Sequence, residues 1–459
     1  MKRYLLLAVC LAAVSLVACG KESTLPEATG KASVRAINTI PTSPPFSFLI
    51  EERVIDEVGY KTASAPARYD DLEYVFNFDV VLPGAPGEDS FVDRVASQAL
   101  DVQADKDYTF IISGATAAPM ITIWEGDERA WGESETAFEL RFGHTAASLG
   151  EVDAYFLDPA IPPAQGSELG TVAFGEFVPA TDLEAGTYVL TLTPAGDDTT
   201  ILFQFDPVEL VAQTQILISV FDGDANDLSP LAARAFNLTG GGAGALVDAS
   251  AQPTIRLYHA SMDFDTADIY FDDPLTTPAI EDHAFRDISG DLEVPAGTLP
   301  LTYTTADNMG SILIDTDRPI LAGTHSHYYV VENSAGNDVL VDHFPDRRSV
   351  ETLVKVSFIN TAAIGEPVDI YTVPSGTSID PDPPAVAVPL LVGVPVGLDP
   401  IDLSLVPGNF DIWVTRLGDT AEPLAGPVPL DVALGDVVEV IIYETADPNA
   451  VDVVFVPVP

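Results

Sequence analysis

Residues 255–259 read Ile-Arg-Leu-Tyr-His, and residues 268–271 read Asp-Ile-Tyr-Phe; these two stretches decide the fold. In the first stretch, apolar and polar positions alternate, so Ile255 and Leu257 fall on one side of an extended chain and Arg256 and Tyr258 on the other. A period of two indicates a β-strand, and this alternation is typical of a sheet with one face on a core and one face in water. The sequence therefore predicts a pair of half-buried strands.

The same two-strand pattern occurs four times along the chain. The first strand of each copy ends in an asparagine or a histidine, at Asn38, His144, His259 and Asn360. Nine residues later, the second strand carries a matched polar residue, at Ser47, Asp153, Asp268 and Asp369. The last three copies read Asp-x-Tyr at this point, with Tyr155, Tyr270 and Tyr371. A constant offset in four copies indicates internal repetition of one domain.

The spacing of the copies predicts the architecture. Each copy is about 100 residues long, which is the usual size of an immunoglobulin-like sandwich. The 33 glycines and 37 prolines suit many short turns. We therefore predict an all-β protein of tandem immunoglobulin-like antiparallel β-sandwich domains. The predicted bounds are 32–128 for a divergent first sandwich, then 137–250, 253–350 and 353–459.

The N-terminal residues predict export and lipid attachment. Residues 1–3 are Met-Lys-Arg, and the apolar run over 4–18 is shorter than the roughly 20 residues that span a bilayer as a helix. Residues 16–19, Leu-Val-Ala-Cys, resemble the lipobox of bacterial lipoproteins, in which the cysteine is lipidated after cleavage before it. We predict a signal peptide over 1–18, a lipid anchor in the bilayer at Cys19 and a tether over 19–31.

The residues around the anchor bear on location and redox chemistry. Gly20 follows the cysteine, where an aspartate usually retains a lipoprotein in the inner membrane, so we expect the outer membrane, facing the periplasm or the cell surface. Cys10 lies inside the apolar run and would leave with it. The mature chain would keep one cysteine and form no internal disulfide, so its stability must come from core burial.

The charge of the chain excludes one class of partner. The formal net charge is −50 at pH 7, with 20 basic and 70 acidic residues. Nucleic acid binds proteins through lysine and arginine, so a chain this acidic is repelled by it. A hydrophobic fraction of 47% is too high for a disordered acidic tail and is enough for several cores. The acidic surface suits solubility in saline water or attraction of cations.

These motifs together resemble a known family. The Arg-x-x-His-Ala opening at 256–260, the Asp-x-Tyr strand and the Ala-Gly-Thr-Tyr turn at 185–188 are similar to the bacterial domain of unknown function numbered 4397. The resemblance covers nearly all of the mature chain and is strongest in the third copy. It implies an exported, repeated, β-rich protein. The family brings no established activity, so the resemblance implies nothing about mechanism.

The repeated polar positions have structural and functional interpretations. A polar side chain at a strand end can bond the backbone of the next loop, and asparagine and histidine both do so, whereas catalysis would not tolerate their exchange. We therefore expect a structural role for these strand-end residues. The Asp-x-Tyr residues form either a ligand surface or simply the outer face of a sheet, and both interpretations stay open. The candidate ligand residues are Asp153, Tyr155, Asp268, Tyr270, Asp369 and Tyr371.

Two motifs suggest cations, and both are incomplete. His325 and His327 are two apart on a predicted strand and could face one metal, but zinc needs three or four ligands and no further close-spaced partner is evident. Residues 222–227 begin like a calcium loop, yet the sixth position is Asp227 rather than glycine and the twelfth is Ala233 rather than glutamate. We expect a turn there and no bound cofactor, while calcium held loosely among other acidic loops stays open.

No motif indicates catalysis. The sequence contains neither the Gly-x-Ser-x-Gly elbow nor a His-Glu-x-x-His helix. The leading hypothesis is a non-enzymatic envelope lipoprotein whose tandem sandwiches bind a glycan or another envelope protein, since weak contacts add through linked domains. The alternative is a structural spacer without a specific ligand. A metal-dependent hydrolase that uses the third copy ranks third.

Overall fold

The computed structural model describes residues 27–458 except 84–89, 241, 273–275, 307 and 380–387. The described residues form 34 strands and no helix. They accordingly contain no helical segment of the length and apolarity that crossing a membrane requires. The predicted signal peptide, the anchor at Cys19 and the tether up to residue 26 lie outside the described residues.

The first sandwich has two four-stranded sheets. Its strands are β1 (Lys31–Asn38), β2 (Phe46–Ile50), β3 (Arg53–Val58), β4 (Ala67–Asp70), β5 (Glu73–Leu82), β6 (Phe91–Asp101), β7 (Lys106–Ala115) and β8 (Ala118–Asp127). The strand orders are β4-β1-β7-β8 and β3-β2-β5-β6. Apolar residues at alternate positions of both sheets meet between them, and Phe76 and Phe110 approach to 4.5 Å between ring centroids.

The second sandwich has ten strands. They are β9 (Ala137–His144), β10 (Val152–Leu157), β11 (Gly170–Val172), β12 (Phe177–Glu184), β13 (Gly186–Pro194), β14 (Phe203–Gln204), β15 (Val208–Leu210), β16 (Gln215–Asp222), β17 (Leu231–Asn237) and β18 (Ala243–Leu246). One sheet has the order β12-β9-β16-β17-β18, and the other β11-β10-β13-β14, with β15 also on β13. Of the glycine-rich stretch, Gly240 lies in the turn after β17, and Ala243 and Gly244 begin the edge strand β18.

The third and fourth sandwiches repeat the eight-strand plan. The third has β19 (Thr254–His259), β20 (Thr266–Tyr270), β21 (Ile280–Ala284), β22 (Leu292–Glu293), β23 (Gly297–Thr305), β24 (Asn308–Ile320), β25 (His325–Glu332) and β26 (Asp338–His343). The fourth has β27 (Val354–Asn360), β28 (Val368–Pro374), β29 (Leu391–Val394), β30 (Ile401–Leu405), β31 (Gly408–Arg416), β32 (Ala425–Val432), β33 (Val437–Glu444) and β34 (Val451–Pro457). Their sheets are ordered β22-β19-β25-β26, β21-β20-β23-β24, β30-β27-β33-β34 and β29-β28-β31-β32.

The predicted all-β tandem sandwich fold is confirmed, with one parallel ladder in each sandwich. The opening strand pairs in parallel with a late strand: β1 with β7, β9 with β16, β19 with β25 and β27 with β33. A parallel pair needs a long connection, and here most of the domain lies between the two strands. We call the sheet that holds this ladder the first sheet of its sandwich.

The first sheets of neighbouring sandwiches pack face to face, which groups the sandwiches into two pairs. In the first pair, sandwiches 1 and 2 bury a shared apolar cluster of Ile37, Tyr60, Ile111, Trp124, Leu217, Phe221, Phe236 and Leu238. In the second pair, sandwiches 3 and 4 bury Tyr258, Ala260, Tyr329, Val331, Val341, Ile359, Ile441 and Tyr443. Each first sheet therefore has a core on one face and a neighbouring sandwich on the other.

The expectation of a wet face is wrong for these first sheets. Tyr258 was predicted to face water, yet it is completely buried because its side of β19 packs on the fourth sandwich. Strand β1 is likewise buried at every residue except Lys31. Arginine and tyrosine at the alternate positions made this face look exposed in the sequence, whereas the structure pairs those polar groups inside the interface.

Buried charges join the two sandwiches of the first pair. Asp107 of β7 accepts hydrogen bonds from Arg35 of its own sandwich at 2.6 Å and from Arg141 of the second sandwich at 2.8 Å. All three side chains are at most 8% exposed. Beside them, Gly143 lies under the Trp124 ring, where a β-carbon would sit 2.1 Å from the indole. Charge pairing and this close approach fix how the two sheets meet.

The segment between β26 and β27 joins the second pair to the first. Arg348 donates to the carbonyl oxygens of Pro41 at 3.0 Å and Ser43 at 2.8 Å in sandwich 1. Asn226 of sandwich 2 donates to Asp346 at 2.7 Å. These contacts bring loops of sandwiches 1 and 2 against the start of sandwich 4.

We expect Asp107→Asn to destabilise the protein by about 3–5 kcal/mol, because it leaves Arg35 and Arg141 buried without a full counter-charge. The matched control is Asp127→Asn, which removes an exposed carboxylate that pairs with Lys106 and should not move the unfolding midpoint. Urea unfolding at pH 7 measures both. Equal midpoints for the two variants would contradict a stabilising role for the buried charges.

Candidate functional site

The residues at the ends of the opening strands hold the loops that follow them. The side chain of Asn38 accepts a hydrogen bond from the Ile40 amide at 3.0 Å and donates to the Val58 carbonyl at 3.2 Å. His144 lies 2.8 Å from the Gly150 carbonyl through Nε2. Asn360 donates to the Val394 carbonyl at 2.9 Å and accepts from the Ala362 amide at 3.1 Å. These contacts hold the following loops, which is the structural role predicted for these positions.

His259 holds the equivalent position in the third sandwich, but its packing and hydrogen bonding differ from those of the other three residues. It is completely buried, its ring packs at a tilt against Phe264 with 4.5 Å between centroids, and the His283 ring lies 5.9 Å away. Neither ring nitrogen of His259 or His283 has a hydrogen-bond partner of standard geometry among the described residues. Burial, with the charge of His283 adding to it, lowers the pKa of His259 to about 4.

The Asp-x-Tyr residues do not form an exposed face, which corrects both interpretations left open by the sequence. All six are buried, with exposures from 1% to 7%: Asp153, Tyr155, Asp268, Tyr270, Asp369 and Tyr371. The carboxylates bind backbone amides of the neighbouring edge strand or turn, as Asp369 does with Gly393 of β29 at 2.7 Å and Gly418 of the turn after β31 at 2.8 Å. Their alternation with core residues is real, but loops cover the side that was expected to be open.

The two histidines proposed for a metal lie on the same face of β25 but contact different partners. Nδ1 of His325 lies 2.5 Å from Thr254 Oγ1 and 2.6 Å from a guanidinium nitrogen of Arg347. Burial and the nearby Arg347 charge lower the pKa of His325 to about 4. His327 instead points at Glu439 of the fourth sandwich, 2.7 Å from its Oε1. His325 and His327 therefore do not share one site.

His327 belongs to a buried cluster that the sequence analysis missed. Its ladder partner across β26 is His343, whose Nδ1 lies 3.4 Å from the same Glu439 oxygen. Tyr258 donates to the other Glu439 oxygen at 2.6 Å. His327, His343 and Glu439 are at most 5% exposed, and one ligand atom of each lies within 4.8 Å of the others. His343 lies sixteen positions after His327, and a domain boundary separates both histidines from Glu439. The spacing in the sequence therefore gave no sign that the three residues form one cluster.

The charges of this cluster are fixed by burial and hydrogen bonding. Burial raises the pKa of Glu439, but hydrogen bonds from His327, His343 and Tyr258 outweigh it and hold that pKa well below the ordinary range. Burial lowers the pKa of His327, and the bond to Glu439 opposes it only in part. Burial also acts on His343, but bonds to Asp402 and Glu439 raise its pKa overall. Burial and hydrogen bonding thus act in opposite directions on the pKa of each group, and hydrogen bonding prevails at Glu439 and His343 but not at His327.

The loop that resembles the start of a calcium site holds an ammonium group. Lys61 of sandwich 1 pairs with both Asp224, at 3.2 Å, and Asp227. Asp222 accepts hydrogen bonds from the amides of Ala147 at 2.9 Å and Ser148 at 3.0 Å. The loop is a turn between β16 and β17, as predicted, and its carboxylates bind other parts of the protein.

A cleft lies where the two pairs meet. Its volume is about 640 Å³. The walls come from the β1–β2 loop at Pro41, the β16–β17 loop at Ala225, the segment at Arg348 and Ser349, and Phe455 on β34. Ligand pockets of roughly 300–1,000 Å³ commonly form between domains and are mostly apolar with a few polar groups. This cleft has both properties, and no motif in the sequence pointed to it because its walls come from three sandwiches.

The fold and its interfaces define a class of protein, a tandem β-sandwich protein built from two face-to-face pairs. The family model of the domain of unknown function (DUF4397) matches residues 32–155 and 253–371, just over half of the chain, and the chain belongs to this family. Each match begins in the leading sandwich of a pair and ends at the Asp-x-Tyr strand of the next, at Tyr155 and Tyr371. The comparison with curated proteins gives no match.

His259→Asn should reduce the loss of stability in acid. The folded protein resists protonation of His259 down to a pH of about 4, while the unfolded chain takes up that proton near pH 6.5, so stability is lost as pH falls through this window. Asparagine carries no proton and already occupies the equivalent positions 38 and 360. We expect the difference in unfolding free energy between pH 7 and pH 5 to shrink by about 1–2 kcal/mol, measured by urea titration. An unchanged difference would show that His259 does not carry this dependence.

Asp369→Ala should destabilise the protein by about 1–3 kcal/mol, because two buried backbone amides lose their acceptor. Asp431→Ala on β32 of the same sheet is the control, since that aspartate is exposed. Thermal and urea unfolding of both variants measure the effect. A stable Asp369→Ala protein would show that the two amides do not depend on this carboxylate and would contradict its structural role.

Proposed function

We propose that this protein is a lipid-anchored protein of the bacterial outer membrane that binds another envelope protein without catalysing a reaction. The observation that carries the proposal is the cleft at the junction of the two pairs. Rigid sandwiches position several loops around it, and loops held by a rigid scaffold are where binding residues concentrate. The lipobox-like residues 16–19 supply the attachment, through Cys19.

The lining of the cleft favours a protein segment over a glycan. Apolar side chains and prolines form most of the wall, including Pro41, Leu430, Phe455 and Pro457. A glycan carries many hydroxyl groups, and those placed against the apolar part of this wall would lose free energy without a hydrogen-bond partner. An extended peptide buries apolar side chains and keeps only its backbone to be paired, so a segment of another envelope protein fits this lining better.

The surroundings of the histidines support binding rather than catalysis. Five of the six histidines are at most 5% exposed, namely His144, His259, His283, His327 and His343. A general base must reach its substrate within hydrogen-bond distance, and these side chains are covered by protein. The cleft walls are contributed instead by prolines, apolar residues, carboxylates and arginines.

A spacer without a specific ligand is the second candidate, and the buried interfaces favour it. Pairs that share apolar clusters and buried charges hold a fixed geometry, which a spacer needs and a set of independent domains lacks. The two candidate functions make different predictions for the cleft, because a spacer without a ligand does not require an open cleft.

Cys19→Ser should release the protein from the membrane, because the serine cannot accept a thioether-linked lipid. We expect the wild-type protein in the outer-membrane fraction and the variant in the soluble fraction after cell disruption. Metabolic labelling with a fatty acid should mark only the wild type. Labelling of the variant, or membrane retention that withstands a salt wash, would contradict the anchor.

A photo-cross-linking amino acid at position 349 tests the binding function in intact cells. Ser349 is exposed and lines the cleft, while Ser90 is exposed in the first sandwich and serves as the control position. We expect a cross-linked envelope protein from position 349 only. The purified partner should bind the wild type and lose at least tenfold in affinity for Ser349→Trp, but not for Ser90→Trp. A glycan adduct would redirect the proposal, and the absence of any adduct at 349 would favour the spacer.

A further inference from the structure

We propose that the second pair binds one divalent transition-metal ion of the zinc class between sandwiches 3 and 4, through His327, His343 and Glu439. The site would join the two sandwiches from inside their interface. This inference is independent of the anchor and of the cleft.

One ligand atom of each of the three side chains lies within 4.8 Å of the others. Nδ1 of His327 and Nδ1 of His343 lie 2.7 Å and 3.4 Å from Oε1 of Glu439. Zinc holds nitrogen and oxygen ligands at about 2.0–2.2 Å, so tetrahedral ligand atoms are roughly 3.4 Å apart. One separation matches this value and the other is shorter by less than an ångström. A small rotation of the His327 ring or of the carboxylate would therefore admit the ion.

The neighbouring groups orient the ligands in the manner of metal sites. Nε2 of His343 lies 3.3 Å from Asp402, which in turn accepts a hydrogen bond from Ser357 at 2.5 Å. A metal-bound histidine usually donates its other ring N–H to a carboxylate in this way, which fixes the ring and raises its basicity. Tyr258 lies 2.6 Å from the second Glu439 oxygen and 3.3 Å from His327 Nδ1, where its hydroxyl can complete the coordination.

The first pair shows that the fold does not need residues like His327, His343 and Glu439 at these positions. Arg35 in the first sandwich and Arg256 in the third hold equivalent positions, and their ladder partners are Thr109 and His327. Across the next ladder, Thr109 faces Trp124 where His327 faces His343. In the partner sandwiches the equivalent residues are Leu217 and Glu439. The first pair thus has threonine, tryptophan and leucine where the second has two histidines and a glutamate.

Electrostatics give a second reason for a cation. Glu439 is fully buried, and the exposed carboxylate of Asp402 lies beside His343. His343 lies between these two carboxylates, 3.3 Å from Asp402 and 3.4 Å from Glu439. A divalent ion would offset both carboxylates and leave both histidines neutral, as ligands must be. The absence of an exposed position at the ligands indicates a closed, structural site rather than one that activates water.

A nitrogen that binds the ion carries no proton, so both histidines would coordinate through Nδ1 with their remaining proton on Nε2. His343 keeps a proton on Nε2 and donates it to Asp402, while His327 must carry its remaining proton on Nε2, which has no partner among the described residues. Because acid protonates the ligand atoms, binding weakens as the pH falls. Because the site is buried, the ion enters during folding or through local opening.

Metal analysis of the full mature protein tests the proposal. The protein is unfolded in urea with a chelator, refolded with zinc, and passed over a desalting column before elemental analysis. We expect about one zinc ion per chain and a higher unfolding temperature than after refolding with chelator alone. Cobalt in place of zinc should give the intense visible absorption of a tetrahedral site.

Matched variants assign the ligands. His343→Gln and Glu439→Gln should lose the bound zinc, whereas His283→Gln, a buried histidine of the same sandwich, should keep it. Asp402→Asn should retain the site with about 10–100-fold lower affinity, because only the orientation of His343 is disturbed. Should a ligand variant fail to fold, the wild-type zinc content and cobalt spectrum still decide. Wild-type protein without bound zinc after refolding, or zinc retained by His343→Gln, would overturn the assignment.

Discussion

Burial of each first sheet on both of its faces is the constraint on which the rest of the structure depends. One face closes the core of its own sandwich, and the other packs on the first sheet of the neighbouring sandwich. A single sandwich of about 100 residues would expose that second face, with its isoleucine, tryptophan and tyrosine side chains, to water. Pairing removes this surface and makes two sandwiches one packing unit. The family matches run across the junction in the same way, from the leading sandwich into the following one.

The pairing also determines where chemistry can occur. Polar groups trapped between the first sheets must satisfy one another, which gives the arginine–aspartate network around Asp107 in the first pair and the histidine–glutamate cluster around Glu439 in the second. The two networks hold equivalent places in the fold but differ in residue type. The second network therefore has the histidine and glutamate side chains that we propose as metal ligands. The cleft lies between the two pairs of sandwiches, where the segment around Arg348 brings the pairs together.

Much of the fold follows from the sequence, because alternation and a constant offset are local signals. Strand-end residues such as Asn360 could be given a loop-holding role, since exchange of asparagine and histidine implies a structural function. The interface could not be predicted, because Tyr258 and Arg256 alternate with core residues as exposed side chains do. The burial of Asp369 under its loops was hidden for the same reason. Glu439 could not be linked to His327 from the sequence, because the two are 112 positions apart across a domain boundary. Only the packing of sandwich 4 on sandwich 3 brings them together.

The central claim is that a pair of sandwiches, not a single one, is the structural unit. Hydrogen exchange of the full chain tests it most directly with Leu217→Ala, which opens a cavity in the interface from the side of the second sandwich. The account predicts that amide protection falls in β7 of the first sandwich (Lys106–Ala115) as well as in β16 (Gln215–Asp222). Protection lost in β16 alone, with β7 unchanged, would show independent sandwiches and contradict the account.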